Sequence, residues 1–195
     1  GTTSHVIQGN FIGTNRDGTA KLPNVDGVSV VLYATGNQIG GTLESERNII
    51  SGNNRFGVVV ASSFSDPTLR NRVQGNYIGT DHTGMLALGN FTAGVVLVSD
   101  HSADIGGTEP GAGNVISGNG PYGIWLYGGN GNKNTRIQGN LIGTTADQSG
   151  ELPNWRGIEI NGAGANFTDN VLIGGAEAGA GNVISGNSIL GIQIL

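Results

Sequence analysis

Cysteine is absent from the 195 residues, which excludes disulfide staples and thiolate metal sites and leaves the chain compatible with either redox compartment. Charge is scarce: nine Lys and Arg stand against fourteen Asp and Glu, for a net charge of -5. The cations are scattered, whereas phosphate binding needs them clustered, so a nucleic-acid surface is excluded. No apolar run has the length of a membrane span, and no amphipathic helix stands near either end of the sequence. What the chain has in abundance is glycine, at 37 residues. No Gly-X-Y period accompanies it, which excludes collagen, and regularly placed Ile and Val argue against disorder.

One short phrase returns six times: GNFI at Gly9, RNII at Arg47, GNYI at Gly75, GNVI at Gly113, GNLI at Gly139 and GNVI at Gly181. A segment this small cannot bury its own apolar face, so units repeating every few tens of residues imply neighbours stacked into one core. Between these phrases lies Gly followed by alternating apolar residues: GVSV at Gly27, GVVV at Gly57, GVVL at Gly94, GIWL at Gly123, GIEI at Gly157 and GIQI at Gly191. Period-two alternation with β-branched residues is a strand signal. A third element centres on Ile39, Val73, Ile105, Ile137 and Ile173. Three short strands per turn, bent into one another at Gly and Asn, which tolerate left-handed backbone, predict an all-β solenoid. Its expected form is a right-handed parallel β-helix of about six turns, occupying residues 1–195 as a single domain.

The alternating residues Val28 and Val30, Val58 and Val60, Val95 and Leu97, Ile124 and Leu126, Ile158 and Ile160, and Ile192 and Ile194 are expected to point inward. Parallel stacking puts like residues about 4.8 Å apart, so Asn10, Asn48, Asn76, Asn114, Asn140 and Asn182 are expected to form a structural ladder of amides. Odd turns carry a twelve-residue excursion from Gly13, Gly79 and Gly143, and even turns lengthen a different corner from Gly40, Gly106 and Gly174. Two rows of longer loops on alternate turns should result.

The phrases QGNYIGTD, GNVISGN and IGGTEPGAGN resemble the right-handed β-helix repeats of large secreted bacterial proteins in the pectin-lyase-like fold superfamily. The resemblance covers nearly the whole chain. It implies the fold and an extracellular or cell-surface setting, while activity stays open because this coil serves lyases, hydrolases, tailspikes, adhesins and stalks alike.

The outward positions of the Gly-apolar strands are Ser29, Val59, Val96, Trp125, Glu159 and Gln193, then Val31, Ala61, Val98, Tyr127, Asn161 and Leu195. Only one carboxylate occurs among them, short of the paired carboxyls of a hydrolase. Trp125, Tyr127, Glu159 and Val96 form an expected exposed patch, the candidate carbohydrate contact, since aromatic faces stack on sugar rings. Asp17, Asp81 and Asp147 sit in the long loops, where oxygen-rich turns can hold calcium. Their registers differ, so no metal or other cofactor is expected, and turn formation is their simpler role. Glu109 and Glu177 match in place on alternate turns, about 9.6 Å apart by coil spacing, and read as solvated. Asn90-Phe-Thr and Asn166-Phe-Thr fit the glycosylation pattern, which matters only on a eukaryotic secretory route.

The reading is therefore a non-catalytic structural or adhesive rod of a secreted or surface protein, filament-forming or carbohydrate-contacting. The alternative is a polysaccharide lyase or glycoside hydrolase, or a fragment of one. The uncapped ends predict further coils or other copies of the chain as partners, with glycans the remaining candidate.

Overall fold

A computed structural model describes residues 2–61, 68–98, 102–128, 133–162 and 170–195. Three six-stranded parallel sheets wall a solenoid. Sheet A contains Val6–Ile7, Gln38–Gly40, Asn71–Gln74, Ala103–Gly106, Arg136–Gln138 and Leu172–Ile173. Sheet B contains the GNxI strands Phe11–Ile12, Ile49–Ile50, Tyr77–Ile78, Val115–Ile116, Leu141–Ile142 and Val183–Ile184. Sheet C contains the Gly-apolar strands Val28–Val31, Phe56–Ala61, Ala93–Val98, Tyr122–Tyr127, Arg156–Asn161 and Leu190–Ile194. Each strand pairs with its equivalent one coil on, so like sits over like: Val58 on Val95, Val95 on Ile124, Ile124 on Ile158.

That register builds the core. Ile39, Val73, Ile105 and Ile137 from sheet A, Ile50, Ile78, Ile116 and Ile142 from sheet B, and Val58, Val95, Ile124 and Ile158 from sheet C are all buried in one cluster. Each such side chain contributes about 1.5–3 kcal/mol by leaving water. Ile192 and Ile194 keep the inward register over Ile158 and Ile160, yet they are 45% and 72% exposed. No described coil lies over them.

Two corners are sealed by asparagine. At the corner between sheets A and B, the side-chain amide of each ladder residue donates to Oδ1 of the next: Asn10 to Asn48, Asn48 to Asn76, Asn76 to Asn114, Asn114 to Asn140 and Asn140 to Asn182, at 2.9–3.0 Å. The same Oδ1 atoms accept the backbone N–H of the preceding ladder residue. From Asn48 onward, the second amide proton goes to a sheet A carbonyl, as from Asn114 to Val73. An interior Asn thus fills two donors and two acceptor sites, the whole capacity of its side chain.

A second ladder, absent from the sequence reading, seals the corner between sheets B and C. It runs Asn24, Asn53, Asn90, Asn119, Asn154 and Asn187 with the same amide-to-amide pattern. The signal was present in the sequence, because the SGN of even turns and the last residue of each twelve-residue excursion end on Asn at one register.

The excursions are hairpins. Thr14 bridges Lys21, Thr80 bridges Ala87 and Thr144 bridges Glu151, all antiparallel. Two hairpin strands stacked along the axis fill the height of two coils, so consecutive odd loops meet over the shortened even corner. His82 N–H donates to Gly18 O and Ala146 N–H to Gly84 O. The alternation of loop lengths follows from that filling.

Candidate functional site

The outward row of sheet A reads Gln38, Arg72, Asp104, Arg136 and Leu172 in register. Above this row stand the even-turn loops, and between them lies a cleft of about 330 Å³ lined by Thr42, Arg72, Gln74, Asp104, Thr108, Glu109, Arg136, Gln138 and Glu177 among others. Its floor is fixed by one buried acid. Asp104 accepts from Arg70 Nε at 2.6 Å and from Arg136 through both oxygens, at 2.8 and 2.9 Å. Arg70 continues to the carbonyls of Ala103 and Asn134. Three guanidinium–carboxylate contacts of this kind satisfy the lone pairs that burial would otherwise leave costly. The Arg136 guanidinium is held above its usual pKa by its hydrogen bonds to Asp104, with Glu177 adding attraction at longer range.

Other members of the cleft are left over. Among the described residues, Arg72 has no ion pair, and neither Glu109 nor Arg72 has a side-chain hydrogen bond. Gln74 and Gln138 each donate Nε2 to a glycine carbonyl of the next coil, Gly106 and Gly174, which leaves their Oε1 atoms available. Gly107 keeps the floor open, since a β-carbon there would lie 2.9 Å from Gln74 Nε2. Glu109 and Glu177 are legible in the sequence as matching loop acids, whereas Arg70, Arg72, Asp104 and Arg136 are not, because those four lie immediately before or within sheet A strands and share no repeated residue type.

The aromatic patch on sheet C is assembled differently from expectation. Trp125 lies between Val96 and Glu159 in register and stacks on Tyr122 and Tyr127, with centroids 4.6 and 4.7 Å away. Val96 is 1% exposed and Glu159 4%, while Tyr127 stays open at 44%. The patch is therefore covered where it was expected to be bare. Glu159 is paired with Arg156 at 3.3 Å. A second, more apolar cleft of about 530 Å³ runs beside the Asn24–Asn187 ladder between exposed Phe91 and Trp155.

Two of the three loop aspartates, Asp81 and Asp147, hold turns, while at Asp17 the turn expected of it is held by Asn15 instead. Asp81 Oδ1 accepts the amides of Met85 and Leu86 and, with Oδ2, the Thr83 hydroxyl. Asn15 does the same for Thr19 and Ala20 at the matching place. Asp147 accepts from Thr145 and Ser149. Asp17 is exposed beside Arg16, 4.0 Å away. No three His, Cys, Asp or Glu cluster as metal ligands among the described residues. Of the glycosylation sequons, Asn166 lies outside the described residues, and Asn90 is 1% exposed with its amide spent in the ladder.

These turns predict an acid limb. Burial pushes the Asp81 carboxyl up, but the Thr83 hydroxyl and the Leu86 and Met85 amides outweigh it and the net shift is downward. Asp26 is lowered chiefly by its hydrogen bond to Arg55, and Asp147 by the Ser149 amide and the Thr145 and Ser149 hydroxyls. A carboxyl with a depressed folded pKa stabilises above its unfolded pKa of about 3.9, and that contribution is lost as pH falls through the lower folded value. Thermal melts should be insensitive to these groups between pH 8 and 5, by the same linkage, and decline below about pH 4. Asp81→Asn keeps the Oδ1 acceptor and should flatten part of the decline; an acid limb as steep as wild type would remove Asp81 from this account.

The chain matches no protein-family model, no curated protein and no solved structure in the three comparisons made.

Proposed function

We propose that the protein is a non-catalytic solenoid scaffold, structural or adhesive, acting in an extracellular or cell-surface setting. Its coil is read as right-handed, of the pectin-lyase-like kind, with continuing coils or other copies as its neighbours. One observation supports the absence of catalysis: every carboxylate buried among the described residues is already committed. Asp81 holds a turn, Asp104 binds two arginines and Glu159 pairs with Arg156. A general acid needs a carboxyl whose surroundings favour the proton and which faces space for substrate.

Incubation with neutral glycans, uronates and capsule-type polymers should release no reducing ends and no unsaturated uronate absorbance. Turnover abolished by Glu159→Gln would overturn the proposal in favour of a lyase or hydrolase on sheet C.

A further inference from the structure

The sheet A cleft brings exposed, unpaired charges of both signs into one cavity. Arg72 and Glu109 come from adjacent coils, line one cavity and carry opposite charge, yet neither is paired with the other or with any described neighbour. Glu177 stands two coils beyond Glu109, next to an Arg136 already bound to Asp104. The groups without an ion pair are thus one guanidinium, Arg72, and two carboxylates, Glu109 and Glu177, of which Glu177 has Arg136 within electrostatic reach. A ligand of one sign would meet repulsion from one of them. A ligand bearing both signs satisfies both, Arg72 taking a carboxylate through its planar fork and Glu109 an ammonium.

The length of the cleft restricts the ligand further. Its floor runs from Arg72 on the third coil to Arg136 on the fifth, two coil spacings or about 9.6 Å at the parallel-strand repeat, and the loop residues Thr42 and Glu177 stand at its ends. A single amino acid is too short, while three extended residues at about 3.3 Å each cover the floor and a longer segment reaches its ends. The free Oε1 atoms of Gln74 and Gln138, two coils apart, are acceptors suited to backbone N–H groups. No aromatic side chain lines this cleft, so the stacking platform a sugar ring would use is missing.

We propose that the sheet A cleft binds an extended peptide segment carrying both acidic and basic side chains, its carboxylate on Arg72 and its ammonium on Glu109. The inference rests on the scaffold reading only in that the cleft binds without chemistry. The test is calorimetric titration of the full chain with end-capped octapeptides of alternating Lys and Glu, of Glu with Ser, and of Lys with Ser, and with a neutral hexasaccharide. The mixed peptide should bind at least tenfold more tightly than either single-sign peptide, and Arg72→Gln and Glu109→Gln should each weaken it about tenfold. Trp155→Ala, in the other cleft, should leave it unchanged, and thermal melts of both cleft variants should match wild type because neither side chain is bonded.

Preference for a single-sign peptide or for the hexasaccharide, no binding at all, or binding indifferent to Arg72→Gln and Glu109→Gln would overturn the proposal. None of these outcomes touches the scaffold reading, which falls only to turnover.

Discussion

Asn114→Ala should cost about 4–5 kcal/mol, the sum of a few buried polar groups left unpaired at about 1–3 kcal/mol each. The wild-type side chain is fully buried and makes four bonds: it accepts the Asn76 backbone N–H and side-chain amide and donates to Asn140 Oδ1 and Val73 O. Alanine leaves the Asn76 N–H without a partner, removes a donor from the Val73 carbonyl and opens a gap in the corner. Asn10→Ala, at the exposed start of the same ladder, should cost about 1 kcal/mol, the scale of a solvated hydrogen bond. Asn114→Asp separates the electrostatics from the shape. Its carboxylate still accepts from Asn76 but faces two oxygens with no proton to give, so its folded pKa rises and it should be least harmful in acid. Urea melts at pH 7 and pH 4.5 check this; an Asp variant no better at the lower pH would show that the ladder is held by packing rather than by donors.

The legibility of this ladder in the sequence, and the illegibility of the cleft, have one cause. Stacking repeats a local requirement at every coil, so Asn48, Asn76, Asn114 and Asn140 recur at one register and can be read without coordinates. The Asn24–Asn187 ladder obeys the same rule but alternates between two contexts, the hairpin exit and the SGN corner, which hid it. The Arg70–Asp104–Arg136 cluster breaks the rule. It depends on three different residues coming together across coils, and neither its composition nor its spacing repeats. The burial beside Trp125 is hidden for a related reason: alternation shows which way a side chain leaves the strand and carries no information on what lies over it, and Val96 and Glu159 prove covered. A cluster that departs from the repeat, as Arg70, Asp104 and Arg136 do, is invisible to the periodicity that reveals the fold.

The glycines between successive even-turn loops are the other place where stacking leaves no tolerance. Gly75 lies in the short corner of its coil, at φ +67°, beneath and above the lengthened corners of its two neighbours. A β-carbon there would overlap the carbonyl oxygen of Gly41 on one side and lie 2.9 Å from that of Gly111 on the other. Left-handed backbone alone costs a non-glycine residue about 1–2 kcal/mol, and here relief on one side tightens the other. Gly139 repeats the arrangement between Gly107 and Gly179, so the constraint belongs to the two-coil unit. Gly75→Ala should therefore cost about 4 kcal/mol, placing it among the severe strain substitutions, and lower Tm by roughly 10 °C for a chain of this size. Gly150→Ala is the control, because its β-carbon would meet only the Thr145 side chain at ordinary contact distance, 3.7 Å. Should Gly75→Ala melt with Gly150→Ala instead, successive even-turn loops must be able to part, and the spacing of alternate coils would no longer be set by backbone packed against backbone.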